Sequence, residues 1–190
     1  MTKITLFGDS LFNGFRKRCN TTLITDGLQA RLASYAQVEN ISRSGATTVE
    51  GLDLLDQVDP NSDLVVIEYG TNDSSAWGIS SESYRQNLST MIHFFTPEKC
   101  IIVGPWHPKE ANNFFDFQTI NNNIHIAQNL AQENHCPFVN LSQITNGKNK
   151  QVLDQIYQED NLHLTDCGNQ LLLDLLTPVI LTKLKKLGLA

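Results

Sequence analysis

Apolar and polar positions along this chain fall into two alternating rhythms. Short apolar-rich runs predict strands at Lys3–Phe7, Gln37–Ile41, Leu64–Tyr69, Lys99–Val103 and Phe138–Asn140. Leu64-Val65-Val66-Ile67 shows no polar alternation, the pattern of a strand buried on both faces. Between the strands the spacing turns helical. Tyr84, Leu88, Met91, Ile92 and Phe95 share one face of Ser81–Phe95, and Ile120, Ile124, Ala127 and Ala131 repeat that spacing in Phe117–Asn134. The leucine-rich Thr165–Leu187 predicts a closing helix with an N-cap at Thr165-Asp166 and a kink or break at Pro178. Strand and helix alternate from end to end, which predicts an α/β fold. Its parallel sheet is covered on both faces, and the flavodoxin-like strand order 2-1-3-4-5 is the expected arrangement. No repeat, low-complexity tract or linker interrupts the pattern, so residues 1–190 read as a single domain.

Composition narrows the function classes. Hydrophobic residues make up 41% of the 190 and charged residues 18%, the balance of a soluble globular protein. Twenty acidic residues against 14 basic ones leave a net charge of −6, which argues against a nucleic-acid partner. The one basic cluster, Arg16-Lys17-Arg18, is short enough to be a solvated loop or helix end. The four cysteines, at 19, 100, 136 and 167, form no C-x-x-C pair, and those at 100 and 136 are expected to be buried as small apolar residues. No apolar leader precedes the first strand and no membrane-length apolar run follows, so a cytoplasmic protein without a membrane span is expected.

Three loops carry residues that a plain connection does not need: Gly8–Asn13, Ser42–Thr48 and Gly70–Ile79. Each follows a strand. In a parallel sheet of the order 2-1-3-4-5 they leave the same edge, with the first between the other two. Ser10 ends the first strand in Gly8-Asp9-Ser10-Leu11, a combination that alone is an ordinary turn. Gly45 follows strand 2, where a glycine either permits a positive φ or lets a bare N–H approach a ligand. Asn72 follows the most buried strand in Gly70-Thr71-Asn72-Asp73, and its amide can donate at the sheet edge. Among five histidines, His163 stands out because Asp160 lies three residues ahead. A carboxylate there can fix the ring tautomer and leave Nε2 free to take a serine proton. The candidate catalytic residues are therefore Ser10, Asp160 and His163, with Ser10 N–H, Gly45 N–H and the Asn72 amide as oxyanion donors. There is no G-x-S-x-G elbow, no dinucleotide or P-loop glycine motif, and no metal-ligand spacing such as H-E-x-x-H.

These blocks resemble the SGNH or GDSL-type hydrolases along nearly the whole chain. Phe7-Gly8-Asp9-Ser10-Leu11 is similar to their nucleophile block, Asn40–Thr48 around Gly45 to the glycine block, Gly70-Thr71-Asn72-Asp73 to the asparagine block, and Asp160-x-x-His163 to the final block. Relatives often carry a further glycine near position 42, where this chain has Ser42-Arg43. The resemblance implies a three-layer α/β/α sandwich, an acyl-Ser10 intermediate, and no metal or organic cofactor. It also implies a small-molecule ester substrate, lipid-like or an acylated sugar. The rival readings are an acyltransferase using the same triad and a non-catalytic binding module of flavodoxin-like shape. Asp9, Asp73, Trp77, Trp106 and His107 are the candidates for substrate contact, with Phe114, Phe115 and Phe117 either capping a pocket or joining the core.

Overall fold

A computed structural model describes residues 1–110 and 113–190. Five parallel strands, β1 (Thr2–Phe7), β2 (Ala36–Asn40), β3 (Leu64–Glu68), β4 (Cys100–Val103) and β5 (Phe138–Val139), form one sheet in the order β2-β1-β3-β4-β5. The register pairs Ile4 with both Val38 and Leu64, Val65 with Cys100, and Ile102 with Phe138. The helices are α1 (Leu23–Leu32), α2 (Thr48–Asp53), α3 (Ser81–Phe95), α4 (Phe117–Glu133), α5 (Lys150–Ile156) and α6 (Asp166–Lys186).

The period of two along each strand divides the core into two layers. Ile4, Leu6, Leu64, Val66, Ile101 and Val103 face α1, α5 and α6. Phe7, Val65, Ile67, Cys100 and Ile102 face α2, α3 and α4. This three-layer α/β/α sandwich is the one expected, with small shifts at the strand ends. Strand β3 stops at Glu68 because Gly70, at φ +125°, turns the chain into a conformation that glycine alone adopts easily. Strand β5 is shorter than expected because Asn140 instead caps the next turn, its side chain accepting Ser142 N–H at 3.0 Å. The spans of α3 and α4 agree with the apolar spacing to within a residue.

Of the kink or break expected at Pro178, the break does not occur: helix α6 runs through the proline. Leu172, Leu176, Ile180 and Leu184 are all fully buried on the sheet side, so the stripe on both flanks of the proline holds the helix together. Thr165 caps it as expected, its hydroxyl accepting Gly168 N–H at 3.2 Å. Cys100 and Cys136 are buried, and Cys19 and Cys167 exposed, all four as free thiols. The basic cluster lies in a loop closed by the Arg16–Cys19 backbone pair; Lys17 and Arg18 are exposed and Arg16 pairs with Asp166.

Gly70 controls the exit from β3. A methyl group there would stand 2.5 Å from Pro105 Cγ and 2.9 Å from the Tyr84 hydroxyl, on a backbone already unsuited to alanine. Gly70→Ala is expected to cost about 1–3 kcal/mol of folding stability, read by urea denaturation. An unchanged midpoint would show that this exit is free to relax.

Candidate active site

Strand β1 ends in a turn that Asp9 builds. Its Oδ1 accepts Leu11 N–H at 2.9 Å, and Phe15 N–H returns to Ser10 O at 3.1 Å. Ser10 is thereby presented at the carboxyl edge of the sheet. The loop after β2 lies against this turn: Arg43 N–H donates to Gly8 O at 3.0 Å, and Asn13 Nδ2 donates to Ser42 O and Ser44 Oγ. Ala46 N–H closes a β-turn on Arg43 O with Gly45 at φ +81°, the positive value that the third position of a type II turn requires.

His163 reaches Ser10 from the far end of the chain. Its Nε2 lies 3.1 Å from Ser10 Oγ, and its Nδ1 lies 2.7 Å from Asp160 Oδ2. The same carboxylate folds the loop that carries the ring, its Oδ1 accepting Leu162 N–H at 3.0 Å and His163 N–H at 2.9 Å. Burial would raise the Asp160 carboxyl, but hydrogen bonds from the His163 ring and these two N–H groups outweigh it and hold it below the usual range. Asn161, at φ +58°, takes the left-handed position within the turn, where asparagine is among the tolerated residues. The Phe15 ring lies 4.6 Å from the imidazole, centroid to centroid. A small cleft of about 20 Å³ opens here, bordered by Ser10, Leu11, Phe15, Asn72, Trp106, Leu162, His163 and Leu164.

Comparison with known proteins identifies the family and the fold. Residues 6–171 match the GDSL-like lipase/acylhydrolase family. The chain belongs to that family. Among solved structures, a lipase/acylhydrolase from Enterococcus faecalis superposes with a TM-score of 0.85 at 29% identity, covering 95% of each chain. The psychrotrophic esterase EstA from Pseudoalteromonas sp. gives 0.74 at 19% identity, over 97% of this chain and 100% of the other. An acetylxylan esterase from Geobacillus stearothermophilus gives 0.74 at 18%, over 96% and 93%. No curated protein matches the chain. This is a GDSL-type hydrolase.

The other anticipated contacts of the hydrolase divide. Trp106 is buried in the cleft wall, stacked on Tyr157, and its indole N–H donates to Leu162 O at 2.8 Å, bracing the His163 loop. Asp9 borders the cleft floor but is only 2% exposed. Asp73 does not border the cleft; it is buried and accepts Thr48 N–H at 2.9 Å, tying the asparagine loop to the start of α2. His107 also faces elsewhere, its Nε2 2.9 Å from Asn121 Oδ1 in a separate groove. Trp77 is 84% exposed and meets Phe114 edge to face, outside the cleft. Phe115 belongs to a small apolar cluster with Ile120 and Ile124, against which Phe117 packs.

Sequence reading missed Asn13, Asn40, Phe15 and Glu68. Asn40 donates to Phe12 O and Asn13 Oδ1, clamping β2 to the segment that follows Ser10. The one signal for these residues was position: Asn40 and Glu68 end β2 and β3, and Asn13 and Phe15 lie in the segment that follows β1. No group of acids, histidines and cysteines arranged to hold a metal ion occurs among the described residues. No helix among them is long and apolar enough to cross a membrane.

Burial pushes the Asp73 carboxyl up to about 6, against the pull of its Thr48 hydrogen bonds. A raised folded value means that the protonated form favours folding below about pH 4, and that this advantage disappears as pH rises through 6. Asp73→Asn keeps an oxygen for Thr48 N–H and removes the charge. It is expected to gain on the order of 1–3 kcal/mol relative to the native protein at pH 8 and little at pH 4. Denaturation curves at both pH values read the difference, and a gain equal at both would contradict the assignment.

Proposed function

We propose that this protein is a serine esterase that hydrolyses small, neutral carboxylic esters through an acyl-Ser10 intermediate. The observation that carries the reading is the continuous chain from Asp160 Oδ2 through the imidazole to Ser10 Oγ, at 2.7 and 3.1 Å. His163 Nε2 takes the hydroxyl proton as Oγ adds to the ester carbonyl, and Asp160 holds the ring as imidazolium. Collapse breaks the ester C–O bond, and His163 returns the proton to the departing alcohol. Water then adds to the acyl-serine with His163 as base, releasing the acid and restoring Ser10.

Two donors stand ready for the oxyanion. Ser10 N–H and Gly45 N–H donate to no group among the described residues, and the space beside Gly45 Cα is open. The Asn72 amide is the third. Its hydrogens are held by Asp9 Oδ2 at 2.7 Å and Ala46 O at 3.1 Å, so an oxyanion must share one of them. The preference for small acyl groups follows from the cleft. Its volume, about 20 Å³, lies far below the usual range for ligand pockets, and Leu11, Phe15, Trp106, Leu162 and Leu164 border it without a lysine or arginine. The acetylxylan esterase among the structural neighbours accords with acetyl transfer to water.

Ser10→Ala is expected to abolish turnover of p-nitrophenyl acetate, and a fluorophosphonate probe to label Ser10 alone, as read by peptide mass spectrometry. Asn72→Ala should lower kcat by about 10²–10³ if the amide stabilises the oxyanion. Across a p-nitrophenyl ester series, kcat/KM should fall from acetate or butyrate to decanoate. Wild-type turnover by Ser10→Ala would end the acyl-serine reading, and a rise with chain length would end the size argument.

A further inference from the structure

Beneath Ser10 lies a carboxyl group for which the acyl-serine cycle has no use. Glu68, the last residue of β3, is 0% exposed. Its Oε2 lies 3.4 Å from Asp9 N, and its carboxyl is within hydrogen-bonding reach of the Asp9 carboxyl. Gly8 makes room for it: a Cβ there would stand 2.5 Å from Glu68 O and 3.1 Å from Glu68 Oε2. A glycine before Asp9 is thus what lets the nucleophile turn lie on the glutamate.

We propose that Glu68 is a positioning residue of this active site, its carboxyl donating a hydrogen bond to the Asp9 carboxylate. Asp9 is thereby kept in place as the acceptor that aims the Asn72 amide and closes the Ser10 turn. The inference rests on the acyl-serine reading above and extends it to a residue that touches neither substrate nor triad.

The donors around the pair locate the proton. Asp9 receives N–H groups on both oxygens, from Leu11 at 2.9 Å and Asn72 at 2.7 Å, as an ionised carboxylate does. Glu68 receives only the long contact from Asp9 N–H on Oε2, and its buried Oε1 has no partner among the described residues. An ionised carboxylate left so poorly solvated would cost several kcal/mol, whereas a neutral acid tolerates an idle carbonyl oxygen. Two adjacent buried carboxyls share one proton for the same reason that like charges at close range do not both ionise. Burial and the Asp9 charge both push Glu68 well above the usual carboxylate range.

The consequence for catalysis is geometric. Asp9 is the one carboxylate on the Asn72 amide, and Ala46 O is that amide's other acceptor. An Asp9 side chain free to rotate loses its grip on the oxyanion donor and on Leu11 N–H beside the nucleophile. Binding of the ground-state ester depends little on either. The signature is therefore a loss in kcat with KM almost unchanged.

The test compares Glu68→Leu, which keeps bulk without a donor, with Glu68→Gln, whose amide N–H can replace the carboxyl proton. E68L is expected to lose about 30-fold or more in kcat with KM within about twofold, and E68Q to recover kcat to within about fivefold of wild type. Infrared difference spectra, wild type minus E68Q at pH 7, should show the C=O stretch of a protonated carboxylic acid. That measurement decides the matter if E68L does not fold. Wild-type kcat in E68L, a loss in E68Q as deep as in E68L, or the absence of that infrared band would each overturn the proposal. Fluorophosphonate labelling of wild-type Ser10 separates the two readings: if it fails, the acyl-serine cycle falls, while the infrared band still reports the Glu68 proton.

Discussion

The parallel pairing of β1 between β2 and β3 is the constraint on which the site depends. Thr5 pairs with Glu39 on one side and Val65 on the other, so all three strands end at one edge in fixed register. The turn after β1, the glycine turn after β2 and the asparagine loop after β3 are thereby delivered side by side. Hydrogen bonds across the loops then remove the remaining freedom: Arg43 N–H to Gly8 O, Asn72 Nδ2 to Ala46 O, and Asp73 to Thr48 N–H. A one-residue slip would send every strand side chain to the opposite layer and dismantle both cores, so the register is strongly specified.

The fourth part of the site comes from a different direction. His163 belongs to the loop before α6, far from the first strand in sequence, and it is held by contacts that do not involve the sheet. Gln158 Nε2 donates to Phe15 O and to Leu164 O, while Trp106 Nε1 donates to Leu162 O. Lys109 N–H closes on Asn161 O at 2.7 Å. The loops after β1 and β4 therefore brace the imidazole from two sides. The Asp160 carboxylate both folds the loop and orients the ring, so one residue does the conformational and the electrostatic work.

Electrostatically, the sheet edge is unusual for its concentration of buried acids. Asp9, Glu68 and Asp73 are all nearly inaccessible, and their causes of shift include one another but no lysine or arginine. Isolated carboxylates in such a setting would be severely destabilising. Two of them are retained because they accept backbone N–H groups in tight turns, Leu11 for Asp9 and Thr48 for Asp73. The His163 ring acts on Asp9 through space and lowers its carboxyl against the effect of burial.

Much of this was legible in the residue pattern. Continuous apolar runs identify strands buried on both faces, and 3.6-residue spacing identifies α3 and α4, because burial on a regular backbone imposes those periods. The glycine, asparagine and Asp160-x-x-His163 blocks were legible for a related reason: each satisfies a local turn whose φ angles or N–H groups restrict the residue types allowed. The break considered at Pro178 does not occur; local helix propensity carries no knowledge of the apolar stripe pressing α6 onto the sheet. Asp73 and His107 misled because a polar residue in a loop near a strand end has two sides to face, and one-dimensional order does not choose between them. Glu68 was hidden altogether, since a lone acid ending an apolar strand has meaning only beside Asp9. The amino-acid order thus determined the elements, their alternation and the candidate groups that the fold brings together. Which carboxylates meet the cleft, which brace the turns beneath it, and that Ser10 and His163 lie 3.1 Å apart were decided by tertiary structure alone, because contacts between distant segments depend on strand order and loop packing.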